Sequence, residues 1–224
     1  MFYKPQHNTI FPHPLLSDEE GIIAFSESIS LEDVKTAYAF GLFPWYNDYP
    51  IFWWNTNPRC VLYPDQLKIS KSMRPYFNQE KFKVTYNTVF KDVIHECKDI
   101  KRPGQAGSWL NDELISIFTE LHKIGIVLSV EVWEGEELVG GLYGLKLGKI
   151  FFGESMFAKK TNASKFGFIS MVKKLRDEGI VLIDCQQETK HLKSMGAITI
   201  NKIEFWAHIK KNLFEILKED LSYS

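Results

Sequence analysis

The chain has 224 residues, 45% of them hydrophobic and 25% charged, proportions of a folded globular protein with a sizeable core rather than a disordered or fibrous one. Its 27 basic and 28 acidic residues leave a formal net charge of −1, so bulk charge gives no pointer to nucleic acid, and any such surface has to be a local basic patch. Cys60, Cys97 and Cys185 are far apart and odd in number, which argues against a disulfide framework or a CxxC metal site and fits a reducing compartment. No signal peptide is expected in residues 1–14, and no apolar run reaches the roughly 18 residues of a membrane span.

Residues 1–28 read as irregular, with turns at Pro5, Pro12 and Pro14. A helix is predicted from Ser30, a good N-cap with Asp33 three residues on, Leu31, Val34, Ala37 and Tyr38 on one face, and Gly41 as its stop. Residues 42–46 are apolar but broken by Pro44 and read as a loop. Two short strands are expected within 51–63, separated by a turn over 55–59. Residues 82–86 alternate like a strand, and helices follow over about 89–97 and 111–123, with a polar, Gly-containing loop leading to Trp109 between them.

The second half is more regular. Strands are predicted over 126–133, 137–145 and 149–157, then a helix over 163–178 with Asn162 as candidate N-cap, a strand over 180–186 and a final helix near 203–218. Phe166, Ile169, Val172 and Leu175 form the buried stripe of the 163–178 helix. A strand, a helix of about 15 residues and a further strand imply a parallel pair. This order resembles the acetyltransferase-like (GNAT-like) fold. The expected class is α+β: a small N-terminal domain over 1–85, then an acetyltransferase-like mixed α/β domain over 86–224, the boundary falling between 85 and 125.

Two carboxylates stand inside apolar strands. Glu154 lies in Phe151-Phe152-Gly153-Glu154-Ser155-Met156-Phe157 and Asp184 in Leu182-Ile183-Asp184-Cys185-Gln186. An ionised carboxylate there needs a partner, either a structural ion pair or a bound cation such as an ammonium. Both sit near the C-terminal strand ends, where open α/β sheets bind ligands. Alternation puts Asp184 and Gln186 on one side of their strand, Ile183 and Cys185 on the other. Strand and helix phase nominate Leu142, Phe151, Met171, Leu175 and Ile183 as walls of an apolar pocket. Gly140, Gly141 and Gly144 read as a bulge or close crossing, or else as a ligand's approach to the backbone. Lys68, Lys71 and Arg74, with Lys81 and Lys83, form one basic group; Lys159, Lys160 and Lys165 form another. Each is a solvated face or, with the aromatics, a grip for an RNA backbone. No His/Cys ligand spacing appears, so no metal is expected. The loop 158–161 lacks the glycines with which acyl-CoA enzymes of this fold approach a pyrophosphate.

Over nearly its whole length the sequence resembles bacterial leucyl/phenylalanyl-tRNA–protein transferases. The resemblance rests on Phe11-Pro12-His13-Pro14, Gly41-Leu42-Phe43-Pro44-Trp45-Tyr46, Phe52-Trp53-Trp54 through Pro58-Arg59, Ser129-Val130-Glu131-Val132-Trp133, Leu138 to Gly144, Phe151 to Phe157, Asn162-Ala163-Ser164-Lys165 and Leu182 to Gln186. It implies transfer of Leu or Phe, less readily Met, from aminoacyl-tRNA to proteins bearing an N-terminal Arg or Lys, marking them for degradation by the N-degron route. It implies no dissociable cofactor, a cytoplasmic location away from membranes, and, with nothing suggesting an obligate dimer, a monomer. By the same resemblance Glu154 anchors the α-ammonium of the aminoacyl group, and Asp184 and Gln186 assist the attacking amine. Trp45 and Trp109 hold the 3′-terminal adenosine. Phe118 stands where the family commonly has Tyr, and Lys68, Lys71 and Arg74 are candidates for tRNA contact. Ser26-Glu27-Ser28-Ile29 replaces the usual Gly-Gly-Asp-Leu, and Gly107-Ser108-Trp109-Leu110 replaces Gly-Thr-Trp-Ile. Three rival readings are an acyl-CoA-dependent transferase, a non-catalytic tRNA-binding module, and a cell-wall peptide-bridge transferase that also draws on aminoacyl-tRNA.

Overall fold

A computed structural model describes residues 11–45, 49–100 and 110–221, with side chains as far as 213. Pro5, Tyr46, Trp109 and the polar stretch before Trp109 lie outside the described residues. The segment read as irregular contains a strand, β1 (Ile22–Ser26). Helix α1 (Leu31–Ala39) starts as its sequence dictates. The Ser30 hydroxyl accepts the Asp33 N–H at 3.1 Å, and the Asp33 carboxylate accepts the Ser30 N–H at 2.9 Å, so two otherwise orphaned donors are satisfied. Gly41, with φ +74°, ends it.

The stretch expected to be a loop instead forms a short edge strand, β2 (Phe43–Pro44). A proline is tolerated there because an edge residue need not donate to a neighbour. With β3 (Ile51–Trp54) it completes a three-stranded antiparallel sheet, ordered β1-β3-β2. The next strand, β4 (Arg59–Leu62), leaves that sheet for a larger one. Then come α2 (Arg74–Asn78), β5 (Lys83–Tyr86), α3 (Phe90–Asp99) and α4 (Asp112–Lys123), the last capped by Asn111, which accepts the Leu114 N–H at 2.9 Å. The remaining elements are β6 (Val127–Glu134), β7 (Glu137–Leu147), β8 (Ile150–Ala158), α5 (Ala163–Asp177), β9 (Leu182–Gln186), α6 (Lys190–Ser194), β10 (Ile198–Ile200) and α7 (Lys202–Leu221). Asn162 precedes α5 in the left-handed region, φ +68°, and its side chain makes no cap bond, so it turns the chain rather than capping the helix as expected.

The larger sheet has seven strands among the described residues, ordered β10-β4-β9-β8-β7-β6-β5. Strands β8 and β9 pair in parallel across α5, the unit expected of an acetyltransferase-like fold, and the chain is mixed α/β with a small N-terminal part. Side-chain alternation divides the core between the two faces of the sheet. Leu142 and Phe151 join Phe166, Ile169 and Leu175 of α5 on one face. Tyr143 and Phe152 join α1, α3, α4 and α7 on the other.

The glycines of β7 serve close packing. A Cβ on Gly140 would lie 2.8 Å from Cβ of Ala163, at the start of α5. One on Gly144, beside a register shift between β7 and β8, would lie 2.2 Å from the Phe152 carbonyl oxygen and 2.6 Å from the Phe151 ring. Gly144→Ala is therefore expected to lower stability by about 1–3 kcal/mol, the usual cost of overpacking. An unchanged urea midpoint would show that the strand pair yields without strain.

Candidate active site

A cavity of about 670 Å³ opens beside the parallel pair. Its apolar wall comes from Leu142 on β7, Phe151 and Met156 on β8, Phe168 on α5 and Leu192 on α6. Phe43, Pro44 and Trp45 form another side, and the polar groups are Glu154, Ser155, Gln186, Gln187, Thr189 and His191. Glu154 and Gln186 meet there: the Gln186 side-chain amide donates to Glu154 Oε1 at 3.4 Å, so its nitrogen is committed and its oxygen is the end that can accept.

Asp184 stands behind this pair. It is fully buried and does not line the cavity. Its carboxylate takes a two-pronged ion pair from Arg59, Nε to Oδ1 at 2.8 Å and Nη2 to Oδ2 at 2.6 Å, and Oδ1 also accepts the backbone N–H of Gln186 at 3.0 Å. Arg59 Nη2 donates further to the Gly41 carbonyl at 3.0 Å, and its guanidinium carbon lies 4.8 Å from the Phe43 ring centre and 4.5 Å from that of Phe205. Of the two strand carboxylates, one is thus a structural ion pair and the other a cavity group.

Simple alternation fails in β9. Cys60 pairs with Gln186 and Val61 with Asp184, leaving Cys185 as the extra residue of a bulge, and Gln186 adopts φ +52°. Cys185 and Gln186 consequently both reach the cavity, contrary to the expected opposite facing.

Glu154 lines the cavity and is half-buried overall. Burial pushes its carboxyl from the usual 4.5 up to about 8; the adjacent Tyr38 hydroxyl opposes the shift and the negative Asp184 adds to it. The same burial, with Glu154 alongside, pushes the Tyr38 hydroxyl well above its ordinary range. Burial lowers His191, with Lys165 adding to the effect, so its imidazole is biased to the neutral form.

Of the residues nominated for an apolar pocket, Leu142 and Phe151 line the cavity, whereas Met171, Leu175 and Ile183 do not. These three are fully covered in the core beneath the sheet. Met171 and Leu175 share the face of α5 that carries Phe168 but lie farther from the helix start, where the cavity is. Trp45 lines the cavity and is 38% exposed; Trp109 falls outside the described residues. Phe118 is buried and packs edge-on against Tyr143 with ring centres 5.6 Å apart, so it reaches the cavity only through that neighbour. Lys68, Lys71 and Arg74 are exposed. Lys159 and Lys160 are tied to acidic neighbours, Glu96 and the pair Glu134 and Glu137. Sequence reasoning missed Arg59 as the partner of Asp184, although an apolar strand holding a carboxylate demands a cation somewhere. It also missed Tyr38, Phe168, Thr189 and His191, for which no local pattern existed.

Comparison with known proteins identifies relatives. The family model described as leucyl/phenylalanyl-tRNA protein transferase matches residues 61–210, and its N-terminal domain counterpart matches residues 27–57. A leucyl/phenylalanyl-tRNA–protein transferase of Christiangramia forsetii is 52% identical over 207 residues, covering 91% of this chain and 97% of that one. Its counterpart in Flavobacterium johnsoniae is 50% identical, covering 89% and 95%, and that of Oleidesulfovibrio alaskensis is 44% identical, covering 91% and 84%.

Two expectations follow from the site's electrostatics. Arg59→Met strands a buried carboxylate and is expected to cost roughly 3–5 kcal/mol, whereas Arg59→Met with Asp184→Leu should recover a large part of it; additive losses in denaturant melts would contradict the coupling. For Glu154 the folded state holds its proton up to about 8 while the unfolded chain releases it near 4.5. The native state therefore binds the extra proton between those values, and this group's contribution to stability falls as pH rises through that window. That contribution is fully present below about 4.5 and lost above about 8. Glu154→Gln should flatten that part of the stability profile, and melts at several pH values would reveal an unaltered slope.

Proposed function

The chain belongs to the leucyl/phenylalanyl-tRNA protein transferase family, and on that premise we propose that its cavity seats the aminoacyl end of a charged tRNA and passes the amino acid to the N-terminus of another protein. The donors are Leu- and Phe-tRNA, with Met-tRNA used less readily. The acceptors are proteins beginning with Arg or Lys, and the transfer marks them for degradation by the N-degron route in the cytoplasm. The observation that carries this reading is the two-ended cavity: an apolar wall of Leu142, Phe151 and Phe168 opposite a hydrogen-bonded Glu154–Gln186 pair. A bulky apolar side chain suits the first end, and its α-ammonium suits Glu154.

The reaction is aminolysis of an ester. The acceptor nitrogen forms a bond to the ester carbonyl carbon, the bond from that carbon to the ribose oxygen breaks, and a proton passes from the amine to the departing hydroxyl. An α-amine with a pKa of about 7.7–8.0 is partly neutral near neutrality, and holding two reactants in line can contribute roughly 7–11 kcal/mol. The Gln186 oxygen accepts a hydrogen bond from the attacking amine. A carboxamide is a weak base, so a substrate hydroxyl or a water relays the proton. Asp184, sealed against Arg59, acts by holding the Gln186 backbone. Trp45, at the rim, offers a stacking face to the terminal base, a task we share between it and Trp109. Phe118 supports Tyr143 behind the wall, and Lys68, Lys71 and Arg74 offer an exposed basic track for the RNA backbone. Met171, Leu175 and Ile183 back the wall from the core. The reading needs neither cofactor nor metal, and it takes the protein as a monomer. Among the described residues no helix is long and apolar enough to cross a membrane. The division into a small N-terminal domain and an acetyltransferase-like domain is part of this proposal; the membership of β4 in the large sheet argues for a boundary ahead of Arg59, earlier than the 85–125 expected from the sequence.

The test mixes the purified chain with leucyl-, phenylalanyl-, methionyl- or valyl-tRNA and peptides that differ only in their first residue. Transfer to Arg- and Lys-initiated peptides from the first three donors is expected, with Gln186→Ala slower by roughly a hundredfold, the scale on which loss of one oriented hydrogen-bonding group acts. Transfer to no peptide, or equal transfer to all, overturns the reading.

A further inference from the structure

Cys60 and Cys185 take no part in the chemistry above, yet the fold brings them together beside it. Cys185 is the extra residue of the β9 bulge, and the residue facing that bulge from β4 is Cys60. Neighbouring strands run about 4.8 Å apart, which falls within the Cα separations that a disulfide spans. Cys185 packs against the same apolar cluster that contains Cys60, and the thiols lie close enough that each shifts the other's titration, Cys60 down and Cys185 up. Cys60 is fully buried, while Cys185 lines the cavity and can be met from solvent. Each adjoins a residue of the ion pair: Cys60 follows Arg59, and Cys185 lies between Asp184 and Gln186.

We propose that Cys60 and Cys185 form a modification site for low-molecular-weight disulfides such as oxidised glutathione, and that closing it as a strand-bridging disulfide shuts the neighbouring cavity. In the first step the Cys185 sulfur bonds to one sulfur of the small disulfide, whose S–S bond breaks and whose other half leaves with the Cys185 proton as a thiol. In the second the Cys60 sulfur bonds to that of Cys185, the mixed disulfide breaks, and the second small thiol leaves with the Cys60 proton. Two protein thiols are oxidised and one small disulfide is reduced to two thiols. The bridge draws the bulge toward β4 and shifts Gln186 away from Glu154. Cys97 lies in α3, in the apolar cluster of the opposite face, and serves as an internal control.

The claim about activity rests on the transferase reading, but the thiol chemistry does not, and the test separates them. The full chain is incubated with oxidised glutathione, denatured, alkylated and digested, and in parallel assayed for peptide aminoacylation. The expected result is a Cys60–Cys185 linked peptide with Cys97 alkylated, and transfer lowered by up to roughly a hundredfold, as an ångström-scale misplacement can produce, then restored by dithiothreitol. Cys185→Ala, which leaves only the buried Cys60, should lose none of its own starting activity on oxidation. Absence of the linked peptide overturns the site. A linked peptide with transfer undiminished, or Cys185→Ala as sensitive as the parent, overturns its control of the cavity. If the reduced chain transfers nothing, the transferase reading fails while the linked peptide still decides the site.

Discussion

The ion pair between Arg59 and Asp184 is the constraint on which the rest of the site depends. Both side chains are completely removed from solvent, where either charge alone would be very costly. Arg59 stands at the start of β4, yet its guanidinium also holds the Gly41 carbonyl and lies between the Phe43 and Phe205 rings. One side chain thereby ties the end of α1, the edge strand β2, the helix α7 and the strand β9. Asp184 extends the tie to the Gln186 backbone, and Gln186 to Glu154. The orientation of the cavity's polar end is inherited from a contact sealed away from the cavity itself. One guanidinium nitrogen, Nη1, has no hydrogen-bond acceptor among the described residues, which is consistent with Arg59 being held as much by aromatic faces as by oxygen.

Glu154 shows the other outcome for a carboxylate in an apolar strand. With no cation paired to it among the described residues, it is shifted by burial toward the neutral acid, with Tyr38 and Gln186 as polar company. An arriving ammonium would supply the missing counter-charge. The two acidic side chains thus divide the work: one is permanently neutralised and rigid, the other left electrically incomplete.

Much of the architecture was legible in the sequence because its signals are local. Ser30 with Asp33, Gly41 as a stop, and the alternation of β6 to β8 are each written within a few residues. The strand–helix–strand unit followed from their order. What escaped depended on distant partners. The segment 22–26 becomes a strand only because β3 lies beside it, and Pro44 can sit in a strand only at an edge. At the site, the strand carrying Asp184 and Gln186 was identified, but a period of two cannot anticipate a bulge at Cys185. The face of α5 was read correctly, but not its depth: Phe168 reaches the cavity while Met171 and Leu175, one and two turns on, are core.

Helix α5 rests on β6 and β7 almost backbone to backbone. Gly140 admits Ala163, and Gly167 admits Val132, each leaving 2.8 Å where a methyl group would stand. The helix can neither rise nor slide without losing that seating. Anyone seeking to enlarge the cavity would therefore have to shave its rim, at Phe168, Met156 or Leu192, instead of prising the layers apart. Diversity is cheapest to explore in the side chains that face the opening, on a platform that stays still.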